Sequence, residues 1–106
     1  MALPDIRNLL DTARRIQEEV ARVRETLGGK TVTAETGGGL VRCVANGKGE
    51  IVSIAIDPAI LADRAMVEDL TRGAVNLALE RARELAQAEL GQATNGLPLP
   101  PGLFGA

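Results

Sequence analysis

The chain of 106 residues has no histidine, tryptophan or tyrosine, and Phe104 is its only aromatic residue. Its single cysteine, Cys43, and its single serine, Ser53, both fall in one predicted sheet. The residue types that most often serve as general bases and nucleophiles are therefore missing or isolated. The carboxylates are spread along helix faces beside arginines, which is not the clustering that a metal site needs. We expect no enzymatic activity, no metal site and no cofactor.

Long apolar runs are also absent. No segment approaches the ~20 apolar residues of a membrane-spanning helix, and no charged-then-apolar leader stands at the N-terminus. One cysteine permits no internal disulfide, and a cysteine inside a strand is more often a small buried hydrophobe than a reactive thiol. We therefore expect a soluble cytoplasmic protein that binds neither a membrane nor a small-molecule substrate.

The apolar residues that are present are almost all Ala, Val, Leu and Ile. A chain of this length forms one domain, whose stability margin is small. Aromatic side chains usually supply much of the buried area of a small core. Because they are missing here, we expect a second copy of the chain to contribute apolar surface, and hence a homodimer.

Charge does not by itself favour nucleic acid. The chain has 12 basic and 14 acidic residues, for a net charge of −2. Proteins bind duplex DNA mainly by neutralising phosphates, which favours a basic domain. All of the basic residues except Lys30 and Lys48 are arginines, however, and arginine is the side chain better suited to bidentate phosphate contacts.

The most informative stretch is Gly37–Pro58, which reads GGGLVRCVANGKGEIVSIAIDP. Two alternating runs, Leu40–Asn46 and Ile51–Asp57, flank an Asn-Gly-Lys-Gly turn, which is a strong hairpin signal. Polar alternation at Thr31–Thr36 precedes the triple glycine and predicts a third strand. Val52, Ile54 and Ile56 are expected to share one face of the sheet.

A long amphipathic helix is predicted before this sheet, with Pro4 in its first turn and Gly28-Gly29 after its end. Its apolar residues recur every three and four positions and form a narrow seam, which packs either on the chain's own second helix or on a partner chain. We call this row the α1 seam: Ile6, Leu9, Ala13, Ile16, Val20, Val23 and Leu27.

Arginines and acidic residues alternate on the other side of this first helix. Asp11 stands four positions from Arg7 and Arg15, and Glu18 stands four positions from Arg14 and Arg22, so weak ion pairs are expected. Two interpretations stay open. The face is either a self-neutralised solvated surface or a row of arginines that can exchange weak partners for phosphates.

A second long helix is predicted from about Arg64 to Leu90, with Asp63 as its N-cap. Gly73 and three alanines keep its middle slim, which favours close helix packing. Gly91 is expected to end the regular structure. The sequence thus predicts one α+β domain over residues 1–91 and a flexible, Pro- and Gly-containing tail over residues 92–106.

This order of elements, the phrase GGGLVRCVANGKGEIVSIAIDP and the tail Leu97–Phe104, read together, resemble the YbaB/EbfC family of small nucleoid-associated DNA-binding proteins. The resemblance implies an α-β-β-β-α fold and a tweezer-like homodimer that associates through the sheet, with the long helices as arms. It implies a protein of the cytoplasm and nucleoid that binds double-stranded DNA. The candidate phosphate-contacting residues are Arg7, Arg14, Arg15, Arg22, Arg24, Arg42, Lys48, Arg81 and Arg83.

Two functions follow. The first is a nucleoid-associated homodimer that binds duplex DNA mainly through phosphates, with low sequence specificity because no recognition helix is evident. The alternative is a dimeric protein–protein interaction module without direct DNA binding. The α1 seam and the apolar tail fit both functions, whereas the net charge favours the second.

Overall fold

The computed structural model describes residues 3–93, and its side chains from residue 6 onward. Helix α1 (Leu3–Leu27) is followed by strands β1 (Thr31–Thr36), β2 (Val41–Asn46) and β3 (Ile51–Ile56). A short 3-10 turn, Pro58–Ile60, then leads into helix α2 (Arg64–Ala93). The α+β fold and its α-β-β-β-α order, predicted from the sequence, are confirmed.

The three strands form one antiparallel sheet in the order β1-β2-β3. The turn between β1 and β2 uses the triple glycine, whose members have φ angles of 65°, 70° and 98°. This left-handed backbone is accessible to glycine without a Cβ penalty. The triple glycine is therefore a strand-to-strand turn, as the sequence predicts.

Helix α2 packs on one face of this sheet and forms the core with it. Its buried residues facing the strands are Ala74, Ala78 and Ala82, and the main buried residues of β2 are Val41 and Cys43. Alanine side chains let the helix axis approach the sheet closely, so small residues suffice to fill the space between them. Burial also raises the pKa of the Cys43 thiol, which keeps it protonated.

Strand β3 has an irregular register and is exposed. A bulge places Ile51 opposite Ala45, and Ile54 opposite Cys43. Ile54 and Ile56 lie opposite buried Cys43 and Val41 and share one face, as the alternation predicts. The bulge adds Ile51 to this face, opposite buried Ala45, which strict alternation did not indicate.

Helix α1 contacts α2 only over part of its length. Leu27 is buried, and Ile16, Val20 and Val23 are half-buried, whereas the N-terminal members of the α1 seam are exposed. The radius of gyration is 19.6 Å, against about 13 Å for a compact domain of similar length. The molecule is elongated because α1 projects beyond its contact with α2.

Helix α2 begins after Asp63 and is described as far as Ala93. The Oδ1 atom of Asp63 accepts a hydrogen bond from the Met66 N–H at 3.1 Å, which confirms the predicted N-cap. The helix continues through Gly91 to Ala93, three residues beyond the predicted end at Leu90. A single glycine costs a helix only about 1 kcal/mol, so Gly91 does not stop it. The predicted tail beyond Ala93 lies outside the described residues.

Candidate nucleic-acid interface

Four of the candidate residues lie on the exposed surface of α1 without an acidic partner. Within the described range 3–93, Arg7, Arg14, Arg15 and Arg24 form no ion pair. The predicted pairs with acidic residues four positions away are absent. Such exposed pairs stabilise a helix by only ~0.2–0.5 kcal/mol, so solvation of the separate groups competes with them. The guanidinium groups of α1 are therefore mostly available to an external anion.

Arg22 is the exception on this helix. Its Nη1 atom lies 2.9 Å from Oε2 of Glu19, three positions earlier, and not near Glu18 as the spacing suggested. The side chain of Arg22 is 71% exposed. An exposed ion pair of this kind is worth little, so Arg22 can exchange Glu19 for a phosphate at small cost.

The C-terminal end of α1 is fixed to the hairpin between β2 and β3. The N–H of Gly47 points to the carbonyl oxygens of Leu27 and Lys30, each at 3.0 Å. A Cβ on Gly47 would lie 2.6 Å from Leu27 Cδ2 and 2.9 Å from Leu27 O. Only glycine lets the hairpin backbone approach α1 this closely.

Asn46 holds the tip of the same hairpin. Its Oδ1 atom accepts hydrogen bonds from the N–H groups of Lys48 at 3.0 Å and Glu50 at 3.1 Å. Its Nδ2 atom donates to Glu50 Oε1 at 2.7 Å. The Asn-Gly-Lys-Gly turn predicted a hairpin, but nothing in its sequence pattern indicated that it would dock on a helix distant in the chain.

This docking brings two candidate residues together. Arg24 from α1 and Lys48 from the hairpin line one open groove of about 520 Å³, with Leu27, Ala86 and Leu90 as its apolar floor. Neither basic side chain forms an ion pair in the part of the chain that the structure describes. The C-terminal end of α1 and the hairpin that docks on it therefore present two positive charges from separate elements.

The candidates on the sheet and on α2 have different surroundings. Arg42 lies opposite Glu35 in the sheet, with its Nε atom 3.3 Å from Glu35 Oε1. Arg81 donates from Nη1 to the carbonyl oxygen of Thr33 in β1 at 2.6 Å. Arg83 is exposed and forms no ion pair among residues 3–93. Arg81 thus already has a structural contact, covering part of the β1 edge.

Lys30 and Glu89 form an ion pair that sequence reasoning missed. Lys30 precedes β1 and Glu89 lies near the end of α2, 59 positions away. No local spacing indicates such a pair, because the register of α2 on the sheet decides it. The contact occupies the basic group of Lys30 and ties the end of α2 to the segment between α1 and β1.

Among residues 3–93 no group of three or more His, Cys, Asp or Glu side chains is placed to hold a metal ion. Neither α1 nor α2, as described, combines the length and apolar character needed to cross a membrane.

Comparisons with known proteins agree on one family. The family model described as the YbaB/EbfC DNA-binding family matches residues 1–97. A nucleoid-associated protein of Thermoanaerobacter sp. (strain X514) is 45% identical over 102 residues, which cover 94% of this chain and 91% of that protein. A nucleoid-associated protein of Anaeromyxobacter sp. (strain Fw109-5) is 41% identical over 98 residues, 91% of this chain and 95% of the relative.

A solved structure shares the fold. The crystal structure of an uncharacterized Helicobacter pylori protein superposes with a TM-score of 0.72 at 26% sequence identity. The match covers 92% of this chain and 99% of the other. The sheet and both long helices therefore belong to an architecture already seen by experiment.

Proposed function

The chain belongs to the YbaB/EbfC DNA-binding family, and we propose that it is a homodimeric nucleoid-associated protein of the cytoplasm. It binds duplex DNA with low sequence specificity, mainly through phosphate contacts. The observation that carries this proposal is the row of guanidinium groups on α1 that have no acidic partner among the described residues. The similar proteins from Thermoanaerobacter and Anaeromyxobacter are named nucleoid-associated proteins, which supports the same function.

The geometry of α1 suits a DNA backbone. Arg14 and Arg24 are ten positions apart, which corresponds to about 15 Å along the helix axis. Duplex DNA carries one phosphate charge per ~1.7 Å of its axis when both strands are counted, so about nine charges lie along such a length. Positive groups spread over this distance can each find a phosphate, although the net charge of the chain is −2.

Low specificity follows from the elements available. The described chain has two long helices that flank a sheet, and it has no helix-turn-helix arrangement that would insert a recognition helix into the major groove. Contacts to phosphates position a protein on DNA and carry no direct sequence information. We therefore assign the binding to backbone contacts and DNA shape.

The dimer is supported by the exposed strand β3. Among residues 3–93, β3 pairs only with β2, so its outer edge keeps N–H and C=O groups that no described strand pairs. Ile51, Val52 and Ile54 on this strand are 39%, 57% and 44% exposed. A second copy can pair its own β3 edge across a two-fold axis and bury these side chains, which is an isologous interface.

DNA binding is tested by an electrophoretic shift titration at two salt concentrations with the double variant R14A/R15A. Removing two phosphate contacts per protomer removes four from a dimer, so the slope of log affinity against log salt should flatten by about 3–4. Affinity at low salt should fall roughly ten-fold or more. Circular dichroism checks that the helices persist.

The matched control is R64A/R72A, which removes the same charge from α2. Arg64 and Arg72 are exposed and lie near Glu68 and Asp69, and neither is a candidate DNA contact. Equal losses in both variants would show a response to net charge alone and would contradict the assignment to α1. No shift of the wild-type chain at micromolar concentration in low salt would leave the protein–protein interaction module as the better function.

Oligomeric state is tested separately with I54D on a sizing column coupled to light scattering. A carboxylate forced into an apolar dimer interface costs several kcal/mol without a partner. We expect the wild-type chain to be dimeric and the variant monomeric. The control L9D places the same charge on an exposed position of α1. A wild-type monomer at tens of micromolar, or an I54D dimer, would refute the interface on β3.

A further inference from the structure

The α1 seam is covered over one half and bare over the other. Along its C-terminal half the seam lies beside α2, and its members there are half-buried or buried. At the N-terminal half, Ile6 and Leu9 are 50% and 68% exposed, and the adjacent Leu10 is 63% exposed. We call Ile6, Leu9 and Leu10 the distal α1 face. The covered half is the part of α1 that lies beside the described residues of α2.

The last described residue of α2 lies against α1 near the boundary between the covered and bare halves of the seam. Ala93 lines an open groove of about 340 Å³ together with Thr12 and Ile16 of α1. Three residues earlier, Leu90 lies in the groove that contains Leu27. The two helices are therefore antiparallel here, and a continuation past Ala93 in the same direction runs along α1 toward Ile6.

The segment that follows, residues 94–106, has the composition to cover an apolar face. It carries no charged side chain, and its four large apolar residues are Leu97, Leu99, Leu103 and Phe104. Thirteen extended residues span up to ~43 Å, whereas Thr12 and Ile6 are about 9 Å apart along the helix axis.

We propose that residues 94–106 dock in cis on the distal α1 face, extending the apolar packing that α2 provides along the rest of the helix. The occupant is the chain's own C-terminal segment, because it follows Ala93 in the groove beside α1, carries no charged side chain and is long enough to reach the face. Docking leaves the arginines on the other side of α1 accessible. The proposal does not depend on DNA binding.

The chain itself provides a spectroscopic test. It contains no tryptophan, so F104W introduces a single indole into the full-length protein. If the segment docks, the emission of this tryptophan is blue-shifted relative to a free peptide of residues 94–106 carrying the same change. Its quenching by acrylamide is also weaker than in that peptide. Emission and quenching equal to those of the free peptide would overturn the proposal.

A second substitution locates the docking surface. L9S in the F104W background should shift the emission back to that of the free peptide, and L10S should act in the same direction. The control is L61S, since Leu61 is exposed to a similar degree, 61%, but lies beside the 3-10 turn near the sheet. A response to L61S and not to L9S would place the segment on another surface and refute the proposal. Circular dichroism confirms that each variant is folded.

A disulfide test separates docking in cis from docking on the second copy. N8C with G102C places one thiol among the residues of the distal α1 face and one among the apolar residues of the segment. The native Cys43 is buried and does not compete. Oxidation should give a cross-linked species of monomer mass on a non-reducing gel. A species of dimer mass, or no cross-link, would contradict docking in cis, and neither result bears on DNA affinity.

Discussion

The two long helices are similar in length and opposite in role. α2 has 30 residues, contacts all three strands and buries Ala74, Ala78 and Ala82. α1 has 25 residues, and Leu27 in its last turn is the only one of its described side chains that is buried. One helix is therefore a layer of the core, whereas the other is an arm attached near one end.

The size of the side chains, more than their apolar content, explains why α2 packs closely on the sheet and α1 does not. The alanines of α2 let its backbone come close to β2, where Val41 and Cys43 fill the remaining space. The larger side chains of the α1 seam hold neighbouring backbones farther apart. Where no second helix runs alongside, they stay exposed. The helix with small side chains, α2, therefore packs into the core, whereas the helix with larger side chains, α1, extends away from it.

The largest expected effect is the response of α2 to a larger side chain. A78L inserts three carbon atoms where the alanine is fully buried against the sheet. Overpacking of a filled core costs about 1–3 kcal/mol and occasionally more, and here the rigid sheet allows little relaxation. We expect a loss of about 3 kcal/mol or more in the free energy of unfolding, measured by urea denaturation.

The same change on α1 is the control. Ala13 is exposed, so A13L should change the free energy of unfolding by less than about 0.5 kcal/mol. The contrast between A78L and A13L measures how far the two helices differ. Equal losses would mean that α1 is packed as closely as α2, and the description of α1 as an arm would be wrong.

The second-largest expected effect concerns the contact between Gly47 of the hairpin and Leu27, which attaches the C-terminal end of α1 to the sheet. G47A puts a Cβ within 2.9 Å of the Leu27 carbonyl oxygen, which is backbone and cannot rotate away. We expect a loss of about 2 kcal/mol from this strain. Thermal denaturation gives the loss, and hydrogen exchange should show faster opening at the end of α1 than in α2.

Gly91 provides a matched glycine on α2. A Cβ at this position meets no heavy atom within 4 Å, and the residue lies inside the helix. G91A should therefore raise the free energy of unfolding by up to about 1 kcal/mol. If G47A were also neutral or stabilising, the close approach of the hairpin to α1 would not be what fixes the arm.

The sequence predicts the core helix better than the arm. Local patterns suffice for the start of α2 at Asp63, for the hairpin turn and for the glycine turn, because each depends on neighbouring residues. The contact of Gly47 with Leu27 and the pairing of Lys30 with Glu89 depend on which surfaces meet in three dimensions. The expected ion pairs along α1 failed for another reason, since pairs this weak do not hold long exposed side chains in place.

The smallest expected effect concerns the ion pair between Glu89 and Lys30, which ties the end of α2 to the segment after α1. E89Q removes the charge on α2 while keeping the shape of the side chain. The two side chains are 27% and 43% exposed, so solvent screens much of their attraction. We expect a loss of about 0.5–1 kcal/mol in low salt that shrinks as salt is added.

E84Q is the matched control, because Glu84 is exposed on the same helix and forms no ion pair among the described residues. Both variants remove one negative charge from an acidic chain, so a general response to net charge appears equally in each. Only a specific contact makes E89Q the less stable of the two in low salt. If the two variants unfold at the same urea concentration, the ion pair does not stabilise the attachment of α1. The contact between Gly47 and Leu27 would then be what holds α1 against the core.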